Sequence, residues 1–223
     1  MSTPLLEARD VWLEYRDGTR AAQALRGVSL ELAAGQSLGI MGPSGSGKSS
    51  LLLVLAGLRA PTRGSVRLGG VEWPSNPGAN ADRRRRQVGF VFQESFLVPH
   101  LTVRENARLQ AASRPAVERV TSLAESLGIR ALLDELPGRI SAGERQRGGI
   151  LRALVNDPLL ILADEPTSSL DHETGLEVVD LLWRCAGDAA LVICSHDPSM
   201  LERANRVLHL RDGVLSGNAP AES

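Results

Sequence analysis

The stretch Gly42-Pro43-Ser44-Gly45-Ser46-Gly47-Lys48-Ser49 constrains this chain more than any other part of it. Glycines at 42, 45 and 47 let successive backbone N–H groups turn inwards. A helix that follows directly adds its N-terminal dipole, so the peptide is suited to hold an anion of phosphate geometry. Residues 37–40 before it read as a short apolar strand, and residues 48–58 after it hold helix formers with no breaker until Gly57. A glycine-rich turn without a ligand would share the composition, but it would not require a strand on one side and a helix on the other.

The octapeptide fits the P-loop pattern, in which Lys48 reaches the β- and γ-phosphates and Ser49 holds Mg²⁺. Residues Gly42, Pro43, Ser44, Gly45, Ser46, Gly47, Lys48, Ser49 and Ser50 are therefore the phosphate-binding candidates. A second run, Leu159-Leu160-Ile161-Leu162-Ala163-Asp164-Glu165, is an apolar strand ending in two acids. Asp164 suits the magnesium shell, and Glu165 is then placed to polarise the water that attacks the γ-phosphate. Taken alone, the same run is equally a strand whose terminal acids are merely solvated.

Around these two sites the pattern is mixed. Val11, Leu13 and Tyr15 alternate, and 24–30 reads as a short strand, with Gly18, Gly27 and Gly35 as punctuation, so the opening is β-rich. Residues 88–92 read as a strand, and 102–112 and 116–127 as helices separated by Pro115 and closed by Gly128. Then helix (144–156), strand (159–163), helix (174–186) and strand (190–194) alternate, which argues for a parallel sheet covered by helices. The polar tail after Leu215 reads as frayed.

Composition narrows the function classes. The chain has 223 residues, 43% of them hydrophobic, enough for a sizeable core, and its formal net charge of -1 gives no general attraction to nucleic acid. Arg83, Arg84, Arg85 and Arg86 are the exception, and read as a solvated face near a strand start rather than as a phosphate or lipid-headgroup patch. Cys185 and Cys194 read as buried free thiols. The longest apolar run, 51–56, is too short to span a bilayer, so a cytosolic chain is expected, and any membrane role needs a partner.

Further motifs follow in an order that resembles the ABC ATPase family along nearly the whole chain. Ile140-Ser141-Ala142-Gly143-Glu144 is similar to the family's signature, and Gln93 to its glutamine loop. Ser168-Ser169-Leu170-Asp171 is similar to the loop after the catalytic acid, and Ser195-His196-Asp197 to the switch-histidine segment. Tyr15 resembles the aromatic residue that stacks on adenine, with Trp12 as its competitor. The resemblance implies an α/β fold: a P-loop NTPase core with a parallel sheet and a β-rich N-terminal edge (about 1–93 and 144–223), into which a helical subdomain (about 94–143) is inserted. It also implies ATP hydrolysis with Glu165, His196 and Gln93 as the catalytic residues. Ser49, Gln93 and Asp164 would hold Mg²⁺, and Tyr15, Ser141, Ala142, Gly143 and Asp171 join the loop residues around ATP. In the ATP-bound state two copies would pack head to tail as a homodimer, each nucleotide lying between Lys48 of one and Ser141 of the other. Partner transmembrane permease subunits would hold the dimer at the inner face of the cell membrane, with no nucleic acid involved.

Gly89-Phe90-Val91-Phe92-Gln93 and Leu162-Ala163-Asp164-Glu165 are similar to the lipoprotein-release and macrolide-export group. Thr167-Ser168-Ser169-Leu170-Asp171 and Pro99-His100-Leu101-Thr102-Val103 are as similar to amino-acid importers, and the first group is favoured. A cell-division regulator of the same family stays open, whereas a small-molecule kinase lacks a reason for the signature and the switch histidine. Two departures stand out. Ala142 replaces a glycine of the signature, at a cost of about 1 kcal/mol if positive φ is needed there. Gly148 and Gly149 would weaken the helix that follows, by about 1 kcal/mol each relative to alanine, unless they are closely packed. The apolar triplet Phe96, Leu97 and Val98 reads either as a permease-docking surface or as core.

Overall fold

The structure, a computed structural model, describes residues 4–17 and 20–217; Gly18 and the tail beyond Gly217 lie outside the described residues. Its elements in chain order are β1 (Leu6–Asp17), β2 (Arg20–Leu32), β3 (Ser37–Met41), α1 (Lys48–Leu55), β4 (Arg63–Leu68), β5 (Val71–Glu72), α2 (Ala81–Gln87), β6 (Val88–Val91), α3 (Val103–Gln110), α4 (Arg114–Ser126), α5 (Ala142–Leu154), β7 (Leu160–Asp164), α6 (His172–Cys185), β8 (Ala190–Ser195), β9 (Arg206–Arg211) and β10 (Val214–Gly217). The fold is α/β, and the chain divides into two compact units. One runs up to Arg84 and resumes at Ala190; the other is Arg85–Ala189.

The first unit holds an antiparallel sheet in the order β2-β1-β4-β5. Its β1 strand is longer than the sequence pattern suggests because a bulge resets the alternation. Leu6 and Ala8 point inwards, Arg9 and Asp10 are both exposed with Asp10 at φ 46°, and inward residues resume at Val11 and Leu13. Gly64, at φ 86°, matches this bulge: a Cβ there would lie 2.2 Å from the Asp10 carbonyl oxygen. The same unit contains the parallel strands β9, β3 and β8, with β3 central and β10 added antiparallel to β9. Every residue of β8 is buried, as its unbroken apolar run requires. Of the tail expected to fray after Leu215, Ser216 and Gly217 are instead paired with β9, as far as Gly217↔Leu208, and the rest lies outside the described residues.

In the second unit, β6 and β7 pair in parallel, Val88↔Leu160 to Val91↔Ala163, and α5 packs against α3, α4, α6 and β6. The expected helical segment 94–143 lies within it. Helix starts are set by side-chain caps: Ser113 for α4, with Pro115 inside the first turn rather than before the helix, and Thr102 for α3 through a capping box with Glu105.

At Arg83, Arg84 and Arg85 the arginine run corrects the expectation of a solvated face, whereas Arg86 is exposed. Arg84 Nη1 donates to the carbonyls of Gly57 (3.0 Å) and Pro77 (2.8 Å), and Arg83 Nη2 to that of Val71 (3.1 Å) while its guanidinium lies over the Trp73 ring. Arg85 Nε donates to the Gln110 carbonyl (2.9 Å). These guanidinium groups satisfy chain carbonyls at turns and helix ends. Neither cysteine is in a disulfide; Cys194 is buried, but Cys185 is half-buried, its thiol pKa raised by desolvation.

Candidate functional site

Strand β3 delivers its C-terminal end directly into the glycine loop, and the loop into α1. Gly42 is forced: a Cβ there would lie 2.2 Å from the Leu210 carbonyl oxygen and 2.8 Å from Ser46 Oγ. Gly47, at φ 108°, would put a Cβ 2.4 Å from the Ala24 carbonyl oxygen, whereas Gly45, at φ 78°, has nothing within 4 Å of that position. The loop therefore presses against β2 and β9 at two glycines and leaves open space at the third. Lys48 is buried and folds back over the loop, its Nζ donating to the carbonyls of Gly42 (2.7 Å) and Pro43 (3.0 Å). Ser46 Oγ is buried and meets no partner among the described residues, as a hydroxyl kept for a ligand oxygen would be. Ser49 is exposed on the first turn of α1. The turn between β9 and β10, an Asp212-Gly213 pair of the type favoured in hairpins, supports the loop through Gly213 N–H to the Ser46 carbonyl, 3.0 Å.

Register places His196 beside this loop's strand. Because β3 and β8 run parallel with Met41 opposite Ser195, Gly42 and His196 leave the same sheet edge at the same level. His196 is exposed, and Asp197 behind it caps a short turn by accepting from Ser199 N–H at 2.9 Å. Tyr15 lies near α1, its Oη 3.2 Å from Ser50 Oγ, and the Arg59 guanidinium sits 4.9 Å from its ring centroid. Nothing in the sequence marks Arg59 for this contact. Trp12 is instead held by its own indole N–H to Asp10, 2.8 Å, and lines a separate shallow pocket with Glu14, Gln23 and Arg63.

The second unit repeats the geometry. Val91 pairs with Ala163, so Gln93 and the acids Asp164 and Glu165 leave one sheet edge together. Glu165 takes φ 43°, a left-handed conformation uncommon for a glutamate. Gln93 is exposed in the irregular segment beyond β6. Among the described residues no three His, Cys, Asp or Glu side chains cluster as a metal cage.

Ser141 caps α5 two residues earlier than the sequence indicates. Its Oγ accepts the Glu144 N–H (3.2 Å) while the Glu144 carboxylate accepts the Ser141 N–H (2.7 Å), which holds the Glu144 pKa below its ordinary value. The Ser141 hydroxyl also hydrogen-bonds the Glu144 carboxylate, which adds to that lowering. Ala142 begins the helix and is not at positive φ, so the expected conformational cost of replacing glycine does not arise. Gly143 is needed for a different reason, since a Cβ there would lie 2.7 Å from Thr174 Cγ2. Asp171 caps α6 by accepting from Thr174 N–H (3.0 Å), and this bond lowers its pKa.

Two further expectations are corrected. Leu97 is core, 9% exposed, while Phe96 is 61% exposed, so the triplet is not one surface. Gly148 and Gly149, without a role in the sequence reading, are buried where segment 95–97 crosses α5: a Cβ would meet Leu97 Cδ1 at 3.1 Å and Ser95 Cα at 3.4 Å respectively.

A family profile described as "ABC transporter" matches residues 25–168. The lipoprotein-releasing system ATP-binding protein LolD of Legionella pneumophila (strain Lens) is 40% identical, over 96% of this chain and 98% of that protein. The macrolide export ATP-binding/permease protein MacB of Bordetella avium (strain 197N) is 41% identical over 96% of this chain, which spans 34% of that protein. Among solved structures, the dimeric post-hydrolysis state of the ATP-binding cassette MJ0796 bound to ADP and Pi superimposes with a TM-score of 0.85 at 31% identity, covering 95% of this chain and 98% of that one.

Proposed function

Because this chain belongs to the ABC transporter family, we propose that it is the ATP-hydrolysing subunit that powers separate membrane permease subunits in an export or lipoprotein-release transporter. The observation that carries the reading is the shared strand register: the glycine loop and His196 leave one edge level with each other, and Gln93, Asp164 and Glu165 leave another. The similarity to LolD along the whole of both chains favours this group over amino-acid importers and division regulators. The protein would work on the cytoplasmic side of the membrane, held there by the permease; no helix among the described residues is long and apolar enough to cross a bilayer.

In this reading the loop N–H groups and Lys48 bind the β- and γ-phosphates, and Tyr15 stacks on adenine. Mg²⁺, when bound, neutralises phosphate charge, and Ser49, Asp164 and Gln93 are the residues that would hold it. Glu165 accepts a proton from the attacking water, while His196 donates to the γ-phosphate as charge develops there. Ser141 and the N–H groups of Ala142 and Gly143 bind the γ-phosphate of the ATP held by a second copy, with Asp171 beside that junction, so the active form is a head-to-tail homodimer. Phe96 is the residue of the apolar triplet left to meet the permease.

Glu165→Gln should abolish steady-state hydrolysis while ATP binding persists, and Lys48→Ala should weaken binding itself. In the Glu165→Gln background ATP should drive dimerisation in size-exclusion chromatography, and adding Ser141→Arg should prevent it. Wild-type turnover in Glu165→Gln would overturn the catalytic assignment; an ATP-dependent dimer that survives Ser141→Arg would overturn the shared site.

A further inference from the structure

Gln93 and Glu94 form an exposed two-residue span whose two ends are gripped by one face of α5. On the near side, Gln146, 2% exposed, donates from Nε2 to the Phe92 carbonyl at 2.9 Å. On the far side, the Arg152 guanidinium donates to the carbonyls of Ser95 (2.7 Å) and Phe96 (2.6 Å). Between them, Gly148 and Gly149 supply the room that lets segment 95–97 come down on the helix. Residues 146, 149 and 152 recur every third position, so they follow one ridge that runs obliquely across the helix surface. Beyond the span, Asn106 fixes Val98 from both sides, accepting its N–H (2.7 Å) and donating to its carbonyl (3.2 Å).

We propose that Gln146 and Arg152 are positioning residues for Gln93, and that the Gly148–Gly149 step lets the helix that begins at Ser141 also set where the Gln93 amide points. The proposal rests on the reading of Gln93 as a group that meets Mg²⁺ or the attacking water. The bonds go to main-chain carbonyls and so hold the path of the chain whatever side chains stand at 92, 95 and 96. One of the grips is charged and partly desolvated, which makes it stronger than a neutral bond and costly to remove. Phe96 is held at φ 44°, a conformation that persists only where its surroundings impose it. An irregular segment without these grips would let a long glutamine side chain sample many positions, and positioning is most of what phosphoryl transfer asks of a protein.

The test is steady-state ATPase activity of the full chain as a function of ATP and of Mg²⁺, measured well below the melting temperature of each variant. Gln93→Ala should lower kcat and shift the Mg²⁺ dependence. Arg152→Gln should do the same, lowering kcat about 10-fold or more with the KM for ATP within about 2-fold, since misplacement of reacting groups acts on turnover more than on binding. Arg152→Lys should recover part of the loss. The double variant Gln93→Ala/Arg152→Gln should be no slower than Gln93→Ala, because the arginine acts only through the glutamine. If Arg152→Gln fails to fold, Gln146→Met is read in the same way. Losses that multiply in the double variant, or a normal kcat and Mg²⁺ dependence in Arg152→Gln or Gln146→Met beside an impaired Gln93→Ala, would overturn the proposal. An unimpaired Gln93→Ala would overturn the role of Gln93 itself, and the single variant alone reveals it.

Discussion

Three glycines at positive φ, in different surroundings, bring backbone strain and steric exclusion into contrast. Gly35 and Gly45 are at φ 70° and 78° with nothing within 4 Å of a Cβ, while Gly47 is at φ 108° with the Ala24 carbonyl oxygen 2.4 Å from one. Alanine at 35 or 45 carries only the left-handed penalty, of about 1–2 kcal/mol, partly offset by about 0.4–1 kcal/mol from the stiffer unfolded chain. A net loss of about 1 kcal/mol follows for each. Alanine at 47 adds an overlap with a β2 carbonyl that cannot move without disturbing the strand, so strain and overpacking together come to about 2–5 kcal/mol. For a chain of this size that is a fall in Tm of about 4–20 °C, against about 2–4 °C for the other two. Urea unfolding followed by circular dichroism measures all three, with the slope checked for constancy. In parallel ATP titrations Gly35→Ala should bind normally, as it lies outside the loop, while Gly45→Ala should bind more weakly. Gly47→Ala within about 1 kcal/mol of wild type, or less destabilising than Gly45→Ala, would refute the reasoning.

The remaining predictions concern charge and the apolar triplet. Glu144 has a depressed folded-state pKa, so its stabilising effect is complete above its unfolded pKa and is lost as pH falls through the folded one. The difference in denaturation midpoint between wild type and Glu144→Gln should therefore be largest near neutrality and vanish in acid; a difference that grows as pH falls would contradict the cap. Leu97→Glu buries a charge in a packed position and should cost several kcal/mol, whereas Phe96→Ser should change stability by less than about 1 kcal/mol. Equal melting temperatures for the two variants would show that the triplet is a single surface after all.

Much of this was legible in the sequence because the deciding signals are local. The glycine loop needs its residues at fixed spacing, and the buried strands β7 and β8 announce themselves as unbroken apolar runs. What escaped depends on long-range approach. The bulge at Asp10 breaks the alternation of β1, so half of that strand looks irregular until β4 is placed beside it. Strand β9 carries arginines at both ends and buries only Leu210, so its place in the sheet emerges only from pairing with β3. A glycine pair inside a helix reads as weakness from the sequence; only the passage of Ser95 and Leu97 over Gly148 and Gly149 turns it into a contact. Likewise Arg83, Arg84 and Arg85 look like a charged surface because their carbonyl partners are remote in sequence or belong to backbone, which has no sequence signature.

The left-handed backbone of Glu165 links this chemistry to the chain's evolvability. Asparagine adopts that conformation more readily than glutamate, so Glu165→Asn would relieve on the order of 1 kcal/mol of strain while removing the carboxylate. Selection for thermal stability alone, as in a laboratory screen for heat resistance, would therefore favour loss of this acid. Under the catalytic role proposed for Glu165 its retention is enforced by turnover, so a stability-optimised library of this protein should be screened for hydrolysis at every round, or position 165 should be held fixed.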